Sequence, residues 1–137
     1  MKSKVKLVEG MQFIGYADSG HGVVMDASFD VGGEDTGSRP MELLLLGLGG
    51  CTGMDVVSIL RKMKQDVERF EIEIEAERAK TYPKVYTKVH IIYKVWGNVS
   101  EEKLKKAIEL SQETYCSASS MFKKTAEVTY EYKINKD

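Results

Sequence analysis

Polar and apolar residues alternate along much of the second half of the chain. Phe70-Glu71-Ile72-Glu73-Ile74-Glu75-Ala76-Glu77 places every second side chain on a dry face, the mark of a strand with one side in a core and one in water. After a turn at Tyr82-Pro83-Lys84, the residues Val85, Thr87, Val89, Ile91, Tyr93 and Val95 repeat that period, so the two runs predict an antiparallel pair. Val128, Tyr130, Tyr132 and Ile134 alternate again and predict a closing strand. Shorter β-type runs at Val5 to Val8, Gln12 to Tyr16 and Val23 to Phe29 come first, separated by Gly10 and by Ser19-Gly20-His21-Gly22. They read as a small antiparallel sheet.

The helical period appears in two places. A polar, glycine-rich loop from Val31 to Ser38 delivers the chain to Pro40, which suits a first helical turn, with Glu42 complementing the helix dipole. From Met41 to about Lys64 the pattern is helical, but Leu43-Leu44-Leu45-Leu46-Gly47-Leu48-Gly49-Gly50 is apolar on every side. That half is predicted to be buried. In a chain neither large nor membrane-spanning, the remaining cover is a second copy, and an intimate homodimer is expected. The glycines just before Cys51 weaken the helix but let another backbone approach. The second half, with Val56, Val57, Leu60 and Met63 against Ser58, Arg61, Lys62 and Lys64, is amphipathic. Ser100-Glu101-Glu102 predicts an N-cap and a helix turning Leu104, Ala107 and Ile108 inward and ending near Tyr115. Cys116-Ser117-Ala118-Ser119-Ser120 then interrupts it, with Ser117 placed to cap a short helix through Lys124. Strands and helices are segregated rather than arranged as β-α-β units, so the expected class is α+β with a mainly antiparallel sheet, in a single domain spanning 1–137.

Charge and cysteine usage narrow the function classes. With 20 basic and 21 acidic residues and a net charge of -1, the chain offers no basic field to gather nucleic acid or anionic lipid. The cations of Met1-Lys2-Ser3-Lys4-Val5-Lys6 are followed by no apolar h-region, and the longest apolar stretch reads as too short to span a bilayer. The expected location is the cytoplasm. Abundant Lys and Glu with few Gln and Asn are compatible with a thermophilic source.

Chemistry rests on Cys51, inside the apolar helix, and Cys116, at a helix junction. Each cysteine alone reads as a small buried hydrophobe, and the pair as a structural disulfide or as a reactive dithiol. In the last case one thiolate attacks a peroxide and the other resolves the sulfenic acid. Cys116 precedes a predicted helix start, whose free N–H groups favour a thiolate. His21 and His90 lack metal-site spacing with each other or with the cysteines. Gly47, Gly49, Gly50 and Gly53 follow no strand and form no phosphate loop. Trp96 and the alternating tyrosines read as sheet packing.

The segment Pro40-Met41-Glu42-Leu43-Leu44-Leu45-Leu46-Gly47-Leu48-Gly49-Gly50-Cys51-Thr52-Gly53-Met54-Asp55-Val56-Val57 closely resembles the central helix of OsmC/Ohr proteins, and Ser111-Gln112-Glu113-Thr114-Tyr115-Cys116-Ser117-Ala118-Ser119 resembles their second-cysteine segment. The likeness covers most of the chain, more weakly in its first thirty residues. It implies an intertwined homodimer with active sites at the subunit interface, and thiol-dependent reduction of hydroperoxides. Cys51 would be the peroxidatic nucleophile and Cys116 the resolving thiol, regenerated by an external dithiol. No cofactor, nucleic acid or membrane partner is implied.

Two departures from the family pattern stand out. Met41 occupies the place of the family's glutamate after the proline, with the acid one residue later at Glu42, rotated by about 100° on a helix. No arginine precedes Arg39, so Arg39 is the candidate substitute for the family's arginine. Both are carried as candidate site residues. Asp55, four residues after Cys51, shares its helix face, where a carboxylate opposes a thiolate unless a cation intervenes; the alternative reading is that it bonds a neighbouring backbone or side chain. The second reading is a non-peroxidase relative that binds or senses a small hydrophobic or electrophilic molecule in the dimer-interface pocket.

Overall fold

Six strands and three helices follow one another in the order β1 (Ser3–Glu9), β2 (Gln12–Ala17), β3 (Gly22–Met25), α1 (Pro40–Lys62), β4 (Asp66–Arg78), β5 (Tyr86–Asn98), α2 (Glu101–Leu110), α3 (Ser117–Phe122) and β6 (Glu127–Ile134). The computed structural model describes residues 1–137. The chain forms two units, Met1–Leu46 and Gly47–Asp137.

In the first unit β1, β2 and β3 form an antiparallel meander. The third strand ends at Met25 rather than Phe29. Asp26 stops it: its carboxylate, 3% exposed, accepts hydrogen bonds from the backbone N–H groups of Ala27, Glu34 and Thr36 and from the Thr36 hydroxyl. The loop folds around that carboxylate so tightly that a side chain at Gly33 would meet the Ala27 carbonyl oxygen at 1.9 Å. The Thr36 hydroxyl, with these N–H groups, holds the Asp26 carboxyl below the usual carboxylate range.

In the second unit β4 and β5 pair antiparallel along nearly their whole length. The predicted α+β class holds, with one connection different. β6 lies parallel to β5, so β5, the intervening helices and β6 make one crossover unit, the length such a pairing requires. Central placement explains the burial of β5. Val89, Ile91, Tyr93 and Val95 are sealed, and even Lys94 is covered, its ammonium paired with Glu73.

α1 lays Leu48, Thr52, Val56 and Leu60 inward at four-residue spacing, all with no exposure. Gly49 and Gly53 bring it close to the sheet, since an added Cβ would lie 3.3 Å from Ile74 and 3.2 Å from Ile72. The expectation that its first half is buried is not met within the chain, where Leu44 is 51% and Leu46 64% exposed; Met54 in the second half is 77% exposed. The expectation that no apolar stretch is long enough to span a bilayer is also corrected. As a continuous 23-residue helix, α1 passes by length and composition, because glycines and small polar residues extend the leucine run without charge. Its inward face is nonetheless that of a core helix.

Candidate functional site

α1 carries Cys51, Thr52 and Asp55 within little more than one turn. Facing this stretch, α2 ends in a π-helical turn, Ser111–Tyr115, closed by the Cys116 N–H donating to the Ser111 carbonyl at 2.7 Å. Such i→i+5 turns are rare and occur mostly at functional sites. Cys116 itself is extended (φ -74, ψ 99) and breaks the helix. Its sulfur accepts the Ser119 N–H at 3.3 Å, so Cys116 caps α3, where Ser117 was expected to. Ser117 already has helical geometry and has passed the capping position.

Both cysteines are free thiols, and Cys51 is close enough to act electrostatically on the Cys116 thiol. Cys51 is half-buried, whereas Cys116 is 2% exposed. Burial pushes the Cys116 thiol up; the Ser119 N–H opposes the shift and neighbouring Cys51 adds to it. The Ser119 hydroxyl lies close enough to favour the thiolate, yet it is buried without a hydrogen bond of full geometry.

Beside the thiols runs a chain of buried polar groups. Asp55 Oδ2 lies 3.0 Å from Ser111 Oγ, Ser111 Oγ 2.8 Å from Thr52 Oγ1, and Thr52 Oγ1 2.6 Å from the Tyr93 hydroxyl. Gln112 Nε2 reaches that hydroxyl at 2.7 Å and Thr52 Oγ1 at 3.3 Å. A carboxylate only accepts, so Ser111 donates to Asp55, Thr52 donates to Ser111, Tyr93 donates to Thr52, and the Gln112 amide donates to Tyr93. One anion orients four side chains. Burial pushes the Tyr93 phenol up to about 12, against its hydrogen bonds with Thr52 and Gln112. Gln112 Oε1, turned the other way, is buried without a partner. Sequence reading missed this network. The available signal was Thr52, a polar residue midway between Leu48 and Val56 on the buried face.

The family model described as OsmC-like protein matches residues 33–131. The chain belongs to the OsmC-like family. It is 36% identical over 135 residues to Protein YhfA of Escherichia coli (strain K12), covering 98% of each chain. The crystal structure of a hypothetical protein from Aquifex aeolicus VF5 is similar at 32% identity and a TM-score of 0.82, covering 98% of this chain and 97% of that one. An organic hydroperoxide resistance protein from Elizabethkingia anophelis shares the fold, with a TM-score of 0.73, 16% identity and coverage of 97% and 94%.

Within this OsmC-like chain, Arg39 and Glu42 are engaged in the first unit. The Arg39 guanidinium pairs with Asp35 at 2.6 Å and donates to the Gly37 carbonyl at 2.9 Å. Glu42 accepts the Arg39 N–H at 2.9 Å, closing the start of α1. Every interaction described for the pair lies in that unit. An open groove of about 560 Å³ there is lined mainly by Val5, Met11, Phe13, Met25 and Val31, with Arg39 beside it. His90 bonds Thr129 and faces Glu131 on the sheet. Asp55, read from sequence as a carboxylate opposing a thiolate, is committed to Ser111.

Proposed function

We propose that this protein reduces hydroperoxides, organic ones in particular, with Cys51 as nucleophile and Cys116 as resolving thiol. The observation that carries the reading is a pair of neighbouring free thiols of unequal exposure, one half-buried and one sealed. The exposed partner suits attack and the buried one suits resolution. The Cys51 thiolate attacks the distal peroxide oxygen, the O–O bond breaks, and the alcohol leaves. Cys51 becomes a sulfenic acid. Cys116 then loses its proton and attacks that sulfur, water departs, and the disulfide forms. An external dithiol restores both thiols. The fold shared with a hydroperoxide resistance protein supports this assignment.

The active form in this reading is a cytoplasmic homodimer. Leu44, Leu46 and Met54 are exposed on α1, and Gly47 and Gly50 have open space where a side chain would sit. Nothing within the chain calls for those two glycines, each costing about 1 kcal/mol of helix stability. A second copy packed closely on that face supplies the reason. On this reading Arg39 and Glu42 serve at the interface active site, as candidate substitutes for the family's arginine and glutamate.

The test is steady-state consumption of cumene hydroperoxide and hydrogen peroxide with dithiothreitol as reductant. Turnover is expected in wild type, none in Cys51→Ser, and a single turnover with a trappable sulfenic acid in Cys116→Ser. A wild-type rate no greater than that of free cysteine sinks the peroxidase reading and favours the binding or sensing role.

A further inference from the structure

We infer that the Asp55–Ser111 hydrogen bond is the pin that holds Cys116 against Cys51, and so sets the dithiol–disulfide equilibrium of the pair. The inference rests on reading the cysteines as a working pair, but not on the oxidant being a peroxide. Ser111 is where the two sulfur-bearing segments meet. Its hydroxyl donates to Asp55, one turn past Cys51 on α1, and accepts from Thr52, the residue after Cys51. Its carbonyl accepts the Cys116 N–H and closes the π-turn. The position of Cys116 is thereby referred to α1 through one side chain.

Asp55 is half-buried and forms no ion pair; its carboxylate is spent on Ser111. What only a strong acceptor supplies is direction. It commits the Ser111 proton, and with it the Thr52, Tyr93 and Gln112 protons, to one arrangement. Without Asp55 the Ser111 and Thr52 hydroxyls are free to exchange roles, and the rare π-turn loses its tie to α1. Asp55 and Ser111 are positioning residues on this account.

Two thiols held as neighbours have a high effective concentration toward each other, which favours their disulfide. The experiment equilibrates full-length protein in buffers of reduced and oxidised glutathione and quantifies the Cys51–Cys116 disulfide by mass after alkylation. In that exchange, protein dithiol and glutathione disulfide become protein disulfide and two glutathione thiols. The protein loses two electrons, glutathione disulfide gains them, and the count of S–H and S–S bonds is conserved.

Asp55→Ala and Ser111→Ala are each expected to lower the equilibrium constant about tenfold, roughly 30 mV, with the double variant no worse than either. Asp55→Asn, whose side-chain carbonyl still accepts from Ser111, keeps most of the wild-type value. Ile108→Val, a side-chain change in the core one turn before Ser111 that keeps the backbone bond between the two residues, leaves the constant unchanged while lowering thermal stability. Unchanged constants in Asp55→Ala and Ser111→Ala, or an equal fall in Ile108→Val, overturn the inference, as does a wild type that forms no Cys51–Cys116 disulfide. Inertness toward peroxide with a normal glutathione equilibrium instead rejects the peroxidase reading and leaves the pin standing.

Discussion

At the scale of single residues, the site separates two tasks that both involve protons. Cys116 is kept protonated by burial, so its step in a resolving role needs a proton to leave at the moment of attack. Tyr93 too is kept protonated by burial, at about 12 against an ordinary 10.0. The sign of the resulting pH effect follows directly. The folded chain keeps a phenolic proton that the unfolded chain loses, so the stability Tyr93 contributes is fully present below about pH 10 and lost as pH rises to about 12. The loss is up to about 3 kcal/mol. Urea denaturation between pH 9 and 12 is therefore expected to show a shallower alkaline decline for Tyr93→Phe than for wild type. At neutral pH that variant loses about 1 to 2 kcal/mol, because Gln112 is left with only its weaker bond to Thr52. Parallel alkaline curves would remove Tyr93 from the account.

At the scale of elements, α1 uses its glycines in two ways. Gly49 and Gly53 are needed by the chain itself, since Ile74 and Ile72 crowd the space a Cβ would take. Gly47 and Gly50 are not. In an isolated chain Gly50→Ala is predicted to add about 1 kcal/mol to helix stability, whereas in a dimer with a close backbone approach it weakens association. Analytical ultracentrifugation and thermal melts at two protein concentrations distinguish these outcomes. The account expects a larger dissociation constant and no gain in melting temperature at the higher concentration. A higher melting temperature with unchanged association would contradict it. The long elements were legible from hydrophobic period because α1, β4, β5 and β6 each bury one regular face. What period alone did not reveal was governed by particular polar atoms: the end of β3 by the Asp26 carboxylate, the cap of α3 by the Cys116 sulfur, and the π-turn by the Ser111 carbonyl. Parallel pairing of β6 was equally hidden, as alternation marks a strand but not its direction.

At the scale of the whole molecule, membership of the OsmC-like family carries the fold, and the pair of neighbouring thiols carries the proposed chemistry. Cys51 and Cys116 were legible as a candidate pair through resemblance, while spacing alone favoured a purely structural reading. The substitutes sought for the family's glutamate and arginine, Glu42 and Arg39, proved to be engaged in organising the start of α1. The polar network around Thr52 and Ser111 was invisible because its members lie on three separate elements. The most direct test of the central claim is a single-turnover reaction without reductant. Reduced protein is mixed with an equimolar amount of cumene hydroperoxide, and the protein and cumyl alcohol are both followed by rapid-quench mass spectrometry. The account predicts one cumyl alcohol and one Cys51–Cys116 disulfide per chain, formed far faster than free cysteine reacts. Alcohol formed only at the free-thiol rate, or oxidation scattered over methionines with the two thiols intact, would contradict it.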